Sequence, residues 1–342
     1  MPPVGRPPVF LIGSQRSGTT WLQCLLGAHP AVAAPQEPEF FTHYVAPLAR
    51  AWQHELATIE DESSSSRLKG VASVMTADEF SAMVRAAIAT FHRAVLELKP
   101  GSTVVLEKCP EYRRAIGVIR AYAVEPKFIH LVRDGRDVAA SLVAASRGWG
   151  RAWAPADVAG AARMWASAVE SARGARSADS YLEVRYEDLL AETPALLQKA
   201  FAFCGVDSAR ELADEICERF SFEALRDDPA RPYEALVVGG ELTRRLGDDV
   251  RFPEGFFRTG GSGGWRATWG ALERTEFDEV AGDLLVDLGY EPDRSWAVAT
   301  AGDRARIKLQ RWRMRVSSLG PRITASARAA RRELANGRSD RR

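Results

Sequence analysis

The run Val9–Gly13 opens into Ser14-Gln15-Arg16-Ser17-Gly18-Thr19-Thr20-Trp21, and then into a segment with Leu22, Leu25 and Leu26 on one helical face. A strand, a Gly/Ser loop and a helix N-terminus together cradle an anion, because backbone N–H groups point at the ligand and the helix dipole adds roughly half a positive charge. Nucleoside triphosphate loops place a lysine directly after the last glycine, where it reaches the β- and γ-phosphates. Here Thr19 holds that position and the cation, Arg16, lies three residues upstream. The displaced charge argues against a kinase. A generic glycine-rich turn and a variant triphosphatase loop are the alternatives. A second cluster, Arg133-Asp134-Gly135-Arg136-Asp137, leads to Ser141. Arg133 at a strand mouth and Ser141 about one turn into the next helix can hold one phosphate, through a guanidinium fork and a hydroxyl. A salt-bridge network at a helix start is the other reading.

Elements that position these groups follow from hydrophobic periodicity. Short apolar runs predict buried parallel strands at Val9–Gly13, Thr103–Leu106, Lys127–Val132 and Tyr181–Val184. Helical spacing covers Thr20–Ala28, Ala77–Leu98, Asp137–Ala145 and Asp157–Arg173, then Pro194–Cys204, Glu211–Arg219 and Leu272–Leu288, with a polar stretch at Arg226–Gly264. Strands alternating with helices predict an α/β fold, a P-loop-like open parallel sheet with helices on both faces. Both phosphate clusters fall at strand C-termini, where open α/β sheets bind ligands.

Arg16-Ser17-Gly18-Thr19-Thr20-Trp21 resembles the 5′-phosphosulfate loop of the sulfotransferases that use 3′-phosphoadenosine 5′-phosphosulfate (PAPS). The resemblance implies that Arg16, Ser17, Gly18, Thr19 and Thr20 bind the 5′ end of PAPS, with Arg16 neutralising charge on the bridging oxygen. It also implies that Arg133 and Ser141 bind the 3′-phosphate. The segment Arg258-Thr259-Gly260-Gly261-Ser262-Gly263-Gly264-Trp265 is similar to the family's RKGxxGDW loop, with Thr for Lys and Gly264 for Asp. Arg258, Thr259 and Gly260 would then complete the 3′-phosphate site, a disordered Gly/Ser linker being the other reading. Trp21 matches an aromatic that stacks on the adenine, Phe222 the TSFE phenylalanine that covers its other face, and Tyr186 a tyrosine at the base edge. Core packing is the plainer role for each of these three.

The implied reaction is in-line sulfuryl transfer from PAPS to a hydroxyl or amine, with no metal required. No histidine of the KTH type stands near the second predicted strand. Val104-Val105-Leu106-Glu107-Lys108-Cys109-Pro110-Glu111-Tyr112 instead resembles the EKTPxYF motif of the glycosaminoglycan sulfotransferases, and Pro35-Gln36-Glu37-Pro38-Glu39-Phe40-Phe41 their ExxFF segment. The resemblance implies Glu37 as general base and Lys108 as a cation near the sulfuryl group or the acceptor. A carboxylate partly desolvated beside Phe40 and Phe41 would have its pKa raised toward working pH. Glu39, Glu107 and His43 are the other candidates. Phe40–Arg50, the stretch before Lys108, and Trp149–Trp153 are expected to form the acceptor wall, the tryptophans as stacking surfaces.

The chain has 342 residues, 46 Lys and Arg against 45 Asp and Glu. That balance hides an asymmetry: residues 304–342 carry a net +11 and residues 1–303 a net −10. One sulfotransferase domain over 1–303 and a basic tail or helix over 304–342 are expected, the tail being available to an anionic surface or a partner. No apolar run is long enough to span a membrane. The N-terminus does not read as a secretory signal, and Cys24, Cys109, Cys204 and Cys217 form no CxxC pair. A soluble bacterial enzyme in the cytoplasm is implied, acting on a small-molecule, carbohydrate or natural-product acceptor rather than on nucleic acid. Two rivals stand beside this reading: a P-loop kinase or NTPase, and a non-catalytic protein that binds anionic ligands through its tail.

Overall fold

The computed structural model describes residues 6–177, 179–247 and 250–297, with residues 302, 305 and 309. Apart from 305 and 309, which are helical, the expected basic tail lies outside the described residues. Two compact units emerge, Met1–Arg266 and Ala267–Arg342.

The first unit is built on five parallel strands, β1 (Val9–Gly13), β2 (Val32–Ala33), β3 (Val104–Lys108), β4 (Lys127–Val132) and β5 (Tyr181–Arg185), in the order β2-β3-β1-β4-β5. Val9 pairs with Leu106 on one side and with Lys127 on the other, so β1 lies in the middle. Period-two alternation sends its side chains to two cores. Val9 and Leu11 join Leu22, Leu25 and Leu26 of α1 (Thr19–Gly27). Phe10 and Ile12 join Phe41, Trp52, Phe80 and Tyr112 on the other face. The second face is closed by α2 (Ala46–Glu60) and α3 (Ala77–Glu97), whose Trp52 and Phe80 rings stack 4.4 Å apart. Further helices of this unit are α4 (Ile116–Tyr122), α5 (Gly135–Ser146), α6 (Val158–Arg173), α7 (Tyr186–Ala191), α8 (Thr193–Cys204), α9 (Arg210–Arg219) and α10 (Phe222–Asp227).

Four of the five strands fall where periodicity places them. β2 is the exception: its two residues exist as a strand because Val32 and Ala33 take register from Val104 and Val105. The span expected as acceptor wall, Phe40–Arg50, forms a π-helical turn (Phe41–Val45) running into α2. The polar stretch 226–264 contains two short helices, Pro232–Ala235 and Gly240–Leu246. In the second unit the described residues centre on the helix Ala271–Asp287 and the turn Arg294–Ala297, with Arg294 bridging Asp278 at 2.8 Å and Asp283 at 3.1 Å.

The helix that carries the glycine loop has a cation at its far end. Lys99 Nζ donates to the carbonyls of Gly27 (2.6 Å), His29 (2.9 Å) and Val32 (3.0 Å), while burial pushes its pKa down to about 8. An ammonium on the last carbonyls of α1 opposes the negative end of the dipole. Lys99→Met strands these acceptors and is expected to lower unfolding stability by about 2–3 kcal/mol, read from urea denaturation.

Candidate active site

Beyond the C-terminal ends of β1, β3 and β4 lies a cavity of about 380 Å³. Its lining includes Arg16, Gly18, Thr19, Thr20, Trp21, Glu37, Arg133, Ser141, Tyr186, Phe222, Arg258, Thr259 and Gly260. Motifs more than 240 residues apart in sequence therefore converge. Of the residues the sequence nominates, Ser17 and Lys108 stand behind the lining: each is only 1% exposed.

The loop is shaped by its glycines. Gly18 has φ 95°, and a Cβ there would come within 2.5 Å of the Tyr186 ring, so only glycine fits. α1 then starts with no side-chain cap and no acidic residue in its first turn, which leaves its N–H groups free for a ligand.

Three guanidinium groups meet here. Arg16 Nε donates to Ser141 Oγ (3.1 Å) and Nη2 to the Phe256 carbonyl (2.6 Å), with the guanidinium 5.1 Å over the Trp149 ring. Burial first, then the charges of Arg133 and Arg258, push its pKa down to about 10. Arg133 donates to the carbonyls of Arg16 (3.2 Å) and Gly261 (2.7 Å) and lies 4.1 Å over the Tyr186 ring. Among the described residues none of the three has a carboxylate partner. Arg136, by contrast, is held by Asp134 at 2.8 Å. Of the two arginines in the Arg133–Asp137 cluster, only Arg133 lines the cavity.

The loop 258–265 is tethered. Gly260 O accepts from the Tyr186 hydroxyl (2.5 Å), and Asp137 accepts from the N–H groups of Gly263 (2.6 Å) and Trp265 (3.0 Å). A Cβ on Gly260, at φ 65°, would meet the Phe222 ring at 2.5 Å. Trp21, its Nε1 anchored on Phe220 O at 3.0 Å, stands edge-on to Tyr186 (5.9 Å) and Phe222 (6.0 Å), so the three form an aromatic slot beside the arginines.

A different cation stands at Thr20. Lys108 Nζ, at the end of β3, donates to Thr20 Oγ1 (3.2 Å) and to the Glu37 carboxylate. A bridge between Gln36 and Lys108 prolongs the β2–β3 pairing and brings Glu37 alongside. The Glu37 side chain is 39% exposed, so the ammonium, rather than enclosure by Phe40 and Phe41, dominates its surroundings. Arg16, the residue expected at the bridging oxygen, directs its guanidinium to Ser141, a residue expected at the 3′-phosphate. Glu39 also lines the cavity; its carbonyl accepts from His43 N (2.9 Å) and its carboxylate meets His43 Nδ1 at 3.1 Å. Arg16 (φ 71°), Glu37 (φ 35°) and Glu39 (φ 51°) are three of the four non-glycine residues with positive φ among the described residues. Strain of this kind concentrates at functional sites.

Strand alternation turns Glu107 away from Lys108. Wholly buried, it accepts from the Tyr112 hydroxyl (2.5 Å) and pairs with His92 Nε2 (2.7 Å), and burial together with the Glu107 charge drives the Tyr112 pKa far up. This network braces the turn Pro110–Arg114 behind the site. Glu107→Ala strands both partners and is expected to lower stability by about 3–5 kcal/mol, measured by chemical denaturation.

Sequence reasoning passed over several residues. Phe256 and Phe257 line the cavity beside Trp149 and Trp153, and Gln15 reaches across it to Glu111 (Nε2 to Oε1, 3.0 Å). The pair of phenylalanines before Arg258 was the available sign. Asp137, which fixes the distal loop, had none, since its partners lie 126 and 128 residues away.

The described residues suit a doubly phosphorylated nucleotide. Ser17 Oγ and Arg133 Nε are buried without a hydrogen-bond partner, which suits them to donate to phosphate oxygens.

No curated protein matches the chain. Among solved structures, mouse sulfotransferase SULT7A1 complexed with PAP is 16% identical, with a TM-score of 0.53 over 83% of this chain and 86% of that one. The sulfotransferase domain of the Synechococcus PCC 7002 olefin synthase is 22% identical, with a TM-score of 0.49 over 82% of this chain and 94% of that one. The first likeness shows the fold. The family model "Sulfotransferase family" matches residues 7–210, more than half of the chain and inclusive of the Arg16 loop, Glu37, Lys108, Arg133, Ser141 and Tyr186. With that match, the chain belongs to the sulfotransferase family.

Proposed function

We propose that this sulfotransferase takes its sulfuryl group from PAPS, and that Glu37 is the base that receives the acceptor's proton. Three guanidinium groups without carboxylate partners among the described residues, beside an aromatic slot, carry this reading, because so dense a positive charge is stable next to a polyanion and costly without one. Arg133, Arg258, Arg16 and Ser141 hold the 3′-phosphate; Trp21, Phe222 and Tyr186 hold the adenine; Ser17, Gly18, Thr19 and Thr20 with the N-terminus of α1 hold the 5′-phosphate.

PAPS supplies an electrophilic sulfur bonded through oxygen to the 5′-phosphate. A new O–S or N–S bond forms at the acceptor as the bridging S–O bond breaks, its electron pair stays on the phosphate oxygen, and the proton passes to Glu37. Lys108, fixed on Thr20 and Glu37, offers an ammonium where negative charge gathers on that oxygen. The triphosphatase reading lacks the lysine after Gly18. Two titrations test the donor assignment, one with adenosine 3′,5′-bisphosphate and one with ATP–Mg²⁺, accompanied by labelled-sulfate transfer from PAPS over a panel of acceptors. Preference for ATP–Mg²⁺ overturns it.

A further inference from the structure

The cavity carries two opposed sets of charge and one continuous aromatic wall. Arg16, Arg133 and Arg258 form the positive set; Glu37, Glu39 and Glu111 form the negative one. The wall runs from Trp21 through Phe222, Phe257 and Phe256 to Trp149 and Trp153, with successive ring centroids 5.0–6.0 Å apart. With the adenine assigned to its Trp21 end and the Arg16 guanidinium over Trp149, Trp153 remains for a second molecule. Trp153 is 40% exposed at that end of the wall. A flat ring gains there from stacking. Glu39 Oε2 meets His43 Nδ1 at 3.1 Å, and the Glu39 side chain is 38% exposed.

Resting on the PAPS reading, we propose that the acceptor is a ring-bearing molecule with a protonated amine besides the hydroxyl it presents to Glu37. The ring lies along Trp153, and Glu39 receives the ammonium. An anionic polymer, the substrate type of the glycosaminoglycan enzymes that the Glu37 and Lys108 motifs resemble, meets the Glu39 carboxylate here, Glu37 being paired with Lys108 and Glu111 with Arg114. A like charge at this position repels it.

Calorimetric titration of the full chain, loaded with adenosine 3′,5′-bisphosphate, distinguishes the possibilities with three phenols that share a two-carbon para chain: tyramine, 4-ethylphenol and 3-(4-hydroxyphenyl)propanoate. Tyramine is expected to bind ~5-fold more tightly than 4-ethylphenol, and the propanoate ~5-fold more weakly, the scale of a half-exposed charge pair. Glu39→Gln is expected to reduce the tyramine advantage below ~2-fold, while Trp153→Ala weakens all three phenols by a similar factor. A tyramine affinity no greater than that of 4-ethylphenol, or an advantage that survives Glu39→Gln, overturns the proposal. The bisphosphate titration on the same sample reports on the donor separately. Bisphosphate that binds, followed by a flat phenol series, defeats the acceptor inference alone; bisphosphate that fails to bind defeats the PAPS reading beneath it.

Discussion

Arg133→Ala is expected to weaken adenosine 3′,5′-bisphosphate ~100-fold or more, the cost of removing a charge-assisted, largely desolvated phosphate contact. Adenosine 5′-phosphosulfate, which has no 3′-phosphate to lose, is expected to change by less than ~5-fold. Calorimetry with both nucleotides gives the ratio. The side chain also donates to the carbonyls of Arg16 and Gly261 and covers Tyr186, so general loosening of the site is the competing cause. Loosening weakens both nucleotides together, and equal losses therefore contradict the 3′ assignment. Arg133→Lys keeps a charge but not the fork, and is expected to fall between the two.

The second large effect belongs to Glu37. Glu37→Gln keeps shape and hydrogen-bonding reach but removes the ability to accept a proton, and kcat is expected to fall ~100- to 1,000-fold. Affinity for adenosine 3′,5′-bisphosphate is expected to stay within ~3-fold, because Glu37 stands with Lys108 rather than with the arginine group. Single-turnover transfer and nucleotide titration on one preparation separate the two quantities. Undiminished turnover shifts the base elsewhere, and Glu39, two residues on and lining the same cavity, is then the next carboxylate to replace.

The strand–loop–helix units, the glycine loop at Arg16 and the arginine at the mouth of β4 were legible in the sequence. Each is a local feature: period-two and period-3.6 burial, or a glycine where φ turns positive, is written in consecutive residues. Most of the nominated site residues accordingly line one cavity. What the sequence left open was which charge meets which. Arg136, in the same cluster as Arg133, is held by Asp134. Arg16 and Ser141 lie 125 residues apart, and Lys108 and Glu37 71 apart. β2 is a strand only by register with β3, and that register also carries Glu37 to Lys108. The aromatic wall likewise joins segments with no common periodicity. Such meetings are decided by strand order, register and loop closure, which leave no periodic trace in the chain because their partners are brought together only when the whole sheet forms.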